Sequence, residues 1–155
     1  MKNKEVRPSL LDRLLGSPGD HGSGGYYSMY ELRESVQRDL QNLLNTRIRF
    51  LSTEKHLKLV QGSVFNYGLP DLTSQQLQSN QGRLDFAEWI ERSIKRFEPR
   101  FKKVTVTPSG NPEASGGLSF RVDAVLYADP APEDVSFDST IDPLNHTVVV
   151  NEARP

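Results

Sequence analysis

LDFAEWIERSIKRFEPRFKKVTVTP, running from Leu84 to Pro108, holds the transition on which the fold turns. Phe86, Ile90, Ile94 and Phe97 fall at i, i+4, i+8 and i+11, a single apolar stripe at helical spacing with Trp89 at its edge. Glu88 before Arg92 and Glu91 before Lys95 stand in the favourable i, i+4 order, which marks the solvated face. The spacing predicts a helix over about Leu84 to Phe97. Pro99 ends it, because its ring pushes Glu98 out of the helical region. Beyond it Val104 and Val106 alternate with Thr105 and Thr107, a two-residue period that predicts a strand. At the junction Glu98 places a negative charge where a helix already carries partial negative charge. Glu98 therefore requires a cation, either within the domain or across an interface.

Downstream the alternation continues. Leu118, Phe120, Val122, Ala124 and Leu126 alternate with Ser119, Arg121, Asp123 and Val125, and Val135, Phe137, Ser139 and Ile141 give a third strand. Thr147 to Asn151 supply a fourth, and residues 108–117 a loose hairpin loop. Upstream, Leu32, Val36, Leu40, Leu43 and Leu44 predict a helix over about Met29 to Thr46, with Ser28 as N-cap and Glu31 completing a capping box. In residues 62–73, Asn66, Gly68 and Pro70 form turns, while Val64, Phe65, Tyr67, Leu69 and Leu72 are apolar enough to fasten an ordered loop to the core. A short helical segment follows Thr73. Helices first and strands second give an α+β fold: two main helices packed on one face of a small, mostly antiparallel sheet of about four strands.

Residues 1–28 read as a flexible N-terminal docking segment ahead of a single domain over 29–155. Leu10, Leu11 and Leu14 lie in a short amphipathic turn between Pro8 and Gly16, too short to be a stable helix alone. The Gly-rich run from Gly16 to Gly25 tethers it. Either the turn docks onto a partner or it straps back onto its own domain.

Composition excludes several functions. With 155 residues the chain supports one core, and 35% hydrophobic residues with 21 Gly and Pro fit a modest core with long loops. Without cysteine there are no disulfides, thiolate metal sites or Cys nucleophiles. No run of about 18 apolar residues and no signal-peptide pattern occurs, so the expected location is the cytoplasm, without direct membrane insertion. Residues 1–108 carry 17 basic and 12 acidic side chains, and residues 109–155 carry 2 and 8. That polarity suits docking within an assembly or, more simply, charge balance inside one fold; neither half is basic enough to argue for nucleic acid.

His21, His56 and His146 are isolated, and no phosphate-binding loop, dinucleotide fingerprint or nucleophile elbow occurs. No metal, cofactor or catalytic residue is expected. Two carboxylates suffice for a glycosidase, and Glu98 with Asp71 or Asp85 is the pairing to consider. Arg96, Arg100, Lys102 and Lys103 surround Glu98 in sequence and favour its ionised form, which suits a salt-bridged carboxylate and not a general acid.

Five segments in this order, Pro8-Ser9-Leu10-Leu11-Asp12-Arg13-Leu14, Leu43-Leu44-Asn45-Thr46-Arg47, Ser63-Val64-Phe65-Asn66-Tyr67-Gly68-Leu69-Pro70-Asp71, Phe97-Glu98-Pro99-Arg100 and Val135-Ser136-Phe137-Asp138-Ser139, resemble the contractile-tail baseplate wedge family. This family, so-called lysozyme-like, includes the TssE subunit of type VI secretion systems, and the leucine motif favours that branch over phage tails. The resemblance implies a non-enzymatic subunit of a cytoplasmic baseplate docked at the inner membrane complex. It implies the wedge partners TssF, TssG and TssK and the sheath subunits TssB and TssC, with support for the start of sheath polymerisation. It ties Glu98, Pro99 and Arg100 to sheath attachment; Leu10, Leu11 and Leu14 are partner-binding candidates by amphipathicity. An exposed edge strand offers one means of attachment, by strand addition. The alternatives are a peptidoglycan-cleaving enzyme and a regulatory adaptor of the same fold.

Overall fold

The computed structural model describes residues 8–15, 27–48, 57–70, 77, 79–110, 118–128, 131–142, 145 and 147–153. The Gly-rich tether, the three histidines, Asp71, Leu72, most of the segment after Thr73 and the whole of the loop at 111–117 lie outside them.

The four strands β1 (Phe101–Ser109), β2 (Leu118–Leu126), β3 (Glu133–Asp142) and β4 (Thr147–Glu152) form one antiparallel meander in the order β1-β2-β3-β4. Every β2 position expected to face inward does: Leu118, Phe120, Val122, Ala124 and Leu126 are all buried. In β1 the alternation is broken once. The register shifts between Phe101 and Lys103, so Lys102 and Lys103 are both exposed while Phe101 and Val104 are both buried. A one-residue irregularity of this kind re-phases a strand without moving its neighbours.

Two long helices cover the inward face, α2 (Met29–Asn45) next to β4 and α4 (Asn80–Phe97) next to β1. The capping box of α2 is complete: the Glu31 backbone N–H donates to Ser28 Oγ, and the Ser28 backbone N–H donates to Glu31 Oε2 at 2.7 Å. From α4, Phe86 meets Phe120 of β2 with ring centroids 5.5 Å apart. This helix begins a turn earlier than Leu84. Asn80, Gln81 and Gly82 are weak helix formers, but Ser79 caps them by accepting from the Gly82 N–H at 3.0 Å.

Two short helical pieces remain, α1 (Leu10–Leu15) and α3 (Lys58–Gln61), with a 3-10 turn at Val64–Asn66. Val64 and Phe65 are exposed and do not fasten the loop, contrary to expectation. Ser63 Oγ and Asn66 Nδ2 both donate to the Val60 carbonyl, so the turn closes on its own polar bonds and leaves those side chains outside. Tyr67 and Leu69 do the fastening. Gly68 has φ +118°, and a Cβ there would lie 2.5 Å from the Thr46 carbonyl oxygen. That close approach lets the Leu69 N–H donate to Thr46 O at 2.7 Å, which ties the loop to the end of α2.

Both sheet edges are partly occupied from within the chain. On β4, Asn45 of α2 accepts from the Val148 N–H and donates to the Val148 carbonyl, each at 2.8 Å, and Gln37 donates to the Val150 carbonyl. On β1, the Glu91 carboxylate accepts from the Val106 N–H at 3.1 Å, and Pro108 has no N–H to offer. No helix among the described residues is long and apolar enough to cross a membrane.

Candidate partner-binding site

Pro99 forces α4 to end, and the chain then reverses within two residues to enter β1. Glu98 is the C-cap, at φ −119° and ψ 84°, its N–H still donating to the Ile94 carbonyl at 2.8 Å. Arg100 is held by its backbone as well, since its carbonyl accepts from the Tyr127 N–H at 2.8 Å. This tight reversal folds the Arg100 guanidinium back over the Glu98 carboxylate. Nε reaches Oε1 at 2.6 Å and one terminal nitrogen reaches Oε2 at 2.5 Å, a two-pronged contact. The cation that Glu98 requires is therefore two residues away, and the carboxylate is only 5% exposed. Of the other cations nearby in sequence, Lys102 and Lys103 point to solvent.

Arg100 serves more than Glu98. The nitrogen bonded to Glu98 also donates to Asp39 Oδ2 at 2.5 Å, and the second terminal nitrogen donates to Ser35 Oγ at 3.0 Å. Ser35 and Asp39 stand at i, i+4 on α2, on the edge of the buried stripe. Burial alone would lower the pKa of Arg100, but its bonds to Glu98 and the charges of Glu98 and Asp39 outweigh that and raise it, so the guanidinium stays charged.

Ser35 leads on to α1. Asp12 is 1% exposed, and its carboxylate accepts from Ser9 Oγ at 2.6 Å, from Ser35 Oγ at 3.2 Å, from Arg38 at 2.5 Å and from the Tyr27 hydroxyl. Burial pushes the Asp12 pKa up, but the Ser9 and Tyr27 hydroxyls and Arg38 together hold it at about 2. With Asp12 turned in, Leu10, Leu11 and Leu14 are turned out, at 70%, 59% and 76% exposed. The apolar side of this turn thus faces solvent and its acid faces the domain.

Between α1 and the Glu98-Pro99-Arg100 reversal lies an open cleft of about 430 Å³. Leu40, Leu43, Tyr67 and Phe97 give it apolar walls, Ser9 and Asp39 its polar rim, and Glu98, Pro99 and Arg100 its third side. Tyr67 packs edge-on against Phe97, centroids 5.2 Å apart. Its burial, then the charges of Asp39 and Glu98, raise the pKa of its hydroxyl.

Asp85 is ruled out as an acid–base partner of Glu98. Thirteen residues of helix separate them, about 20 Å along the axis, against the roughly 5–9.5 Å that glycoside hydrolysis uses. The carboxylate that does approach Glu98 is Asp39; each is 2.5 Å from the same Arg100 nitrogen. The guanidinium lies between them, where a glycosidic oxygen and its water would have to enter. Asp39, Ser35, Asp12 and Tyr67 were not identified from sequence as members of this cluster. The available signal was Ser35 and Asp39 interrupting a leucine stripe at helical spacing.

The family described as baseplate wedge protein gp25 matches residues 30–131. The match runs from the first turn of α2 past β2, and encloses Ser35, Asp39, Tyr67 and Glu98-Pro99-Arg100 but not α1. No curated protein matches the chain.

Proposed function

The chain belongs to the baseplate wedge protein gp25 family, and from that membership we propose that it is a structural, non-enzymatic subunit of a type VI secretion baseplate, in the role of TssE. In this role it joins the wedge proteins TssF, TssG and TssK and carries the surface on which the TssB–TssC sheath begins to polymerise. It works in the cytoplasm, in a baseplate docked at the inner membrane complex.

The observation that carries this reading is the outward display of Leu10, Leu11 and Leu14 next to the cleft at Glu98-Pro99-Arg100. Three exposed leucines on a six-residue helix contribute nothing to the core, while Asp12, the buried one among the described side chains of that helix, is an acid. Such an arrangement suits a partner that supplies the missing apolar cover. Glu98 and Arg100 shape the opposite side of the cleft, and Pro99 stands exposed between them. We assign Leu10, Leu11 and Leu14 to wedge binding and the Glu98-Pro99-Arg100 side to sheath attachment. Contacts repeated around a sixfold baseplate hold by multivalency even where each is weak.

Co-purification tests the proposal. Tagged chain expressed with the wedge and sheath subunits should retain TssF and TssG through washing, and replacing Leu10, Leu11 and Leu14 with serine should release them. Wedge complexes of unchanged composition with that variant would refute the assignment. The peptidoglycan alternative is tested separately: clearing of cell-wall suspensions by the purified protein, lost in Glu98→Gln, would refute the structural role.

A further inference from the structure

We propose that Asp12 and Ser35 are positioning residues that couple the leucine turn to Arg100, so that the two halves of the docking surface are presented together. The proposal rests on the reading above for the identity of the partner only; the coupling is a property of the free chain.

A six-residue helix has no stability of its own, so what fixes α1 is its attachment. Leu10, Leu11 and Leu14 have no burial to orient them. The buried attachment is Asp12, met by Tyr27 from beyond the Gly-rich tether and by Ser35 and Arg38 from α2. Its charge is retained throughout the physiological range, so the clamp does not open by titration there.

Ser35 supplies the link. A hydroxyl has one proton to donate and two lone pairs. Arg100 carries only donors, so Ser35 accepts from it at 3.0 Å and is left to give its own proton to Asp12 at 3.2 Å. The order of donation is then fixed: Arg100 to Ser35, Ser35 to Asp12. Glu98 and Asp39 hold the guanidinium where it can do this. A partner that seats in the cleft and keeps Arg100 in place thereby also keeps α1 clamped with its leucines outward. Ser35 Oγ accepts from Arg38 as well, at 3.3 Å, so removing Arg100 takes away the shorter of its two donors and weakens the clamp from a site 88 residues away in sequence.

Hydrogen exchange at the backbone amides of Asp12, Arg13 and Leu14 in the purified full chain reads the coupling without any partner. Asp12→Asn should bring these amides close to unprotected rates. Arg100→Gln and Ser35→Ala should each raise their exchange at least threefold; alanine suits a helix, so Ser35→Ala keeps α2 and the fold intact if Arg100→Gln does not. Val122→Ala, a core truncation in β2, should leave these amides unchanged and so controls for general loosening. Unchanged exchange in Ser35→Ala, or an equal rise in Val122→Ala, would overturn the coupling. In a second arm, purified TssF–TssG complex should bind Asp12→Asn at least tenfold more weakly than wild type. If no form of the chain binds that complex while the exchange pattern appears, the partner assignment fails and the coupling stands.

Discussion

Glu98 sits at the helix end where a carboxylate is unfavourable, and it is stable there only because Arg100 folds back onto it out of water. Taking away one member of a buried, hydrogen-bonded ion pair leaves the other uncompensated, which costs about 3–5 kcal/mol. Arg100 is partly exposed and in Glu98→Ala keeps its bonds to Asp39 and Ser35, so the lower end is the upper bound here. Glu98→Ala should therefore lower stability by at most about 3 kcal/mol, a fall in Tm of up to roughly 10 °C for a chain of this size, measurable by thermal circular dichroism. Loss of sheath assembly in that variant would reflect the fold as well as any contact. A melting curve unchanged from wild type would show that the pair is open to solvent. Asp12 makes the second prediction at this scale. Its folded pKa of about 2 lies below the ordinary aspartate value of 3.8, so its contribution is complete above about pH 4 and is lost as pH falls through 2. That contribution is about 2 kcal/mol. The protection of the α1 amides relative to their intrinsic exchange rates should fall over this interval, and in Asp12→Asn that fall should be absent.

Individual elements differ in how far they depend on such contacts. Because Asp12 is the buried attachment of α1 among its described side chains, deleting residues 1–15 should leave the sheet and long helices folded while weakening capture of wedge subunits. Circular dichroism and pull-down separate these two effects. In β3, Ser139 faces the core and its hydroxyl meets no partner among the described residues. Ser139→Ala should thus raise stability by about 1 kcal/mol, read as a higher Tm. The elements legible in the sequence are those set by local pattern: the Ser28–Glu31 cap, the end of α4 at Pro99, and the alternation in β2 and β3. What pattern did not reveal is set by distant polar partners. The inward turn of Asp12 depends on Arg38 and Tyr27, and the position of Arg100 depends on Asp39, 61 residues earlier. The exposure of Val64 and Phe65 follows from polar closure of one turn, which apolar content does not report. Attachment by strand addition, natural for an open edge, meets edges already engaged by Asn45, Gln37 and Glu91; an incoming strand would first have to displace them.

Across the whole molecule, the basic first part and acidic last part are brought together by the fold. Arg33 of α2 pairs with Glu133 of β3 and Glu152 of β4, so part of the sequence polarity is neutralised internally. The leucine turn, exposed through Leu10, Leu11 and Leu14, and the cleft beside it lie on the side where α4 reverses into β1. The central claim is that this side joins the chain to a baseplate. Its most direct test is fluorescent sheath assembly in cells lacking the native copy and complemented with the triple variant carrying serine at Leu10, Leu11 and Leu14. These side chains are exposed, so the variant should accumulate and melt as wild type does. We predict that wild type restores dynamic sheaths and that the variant does not, at equal protein level. Normal sheath assembly with the variant, or in cells with no copy at all, would contradict the claim.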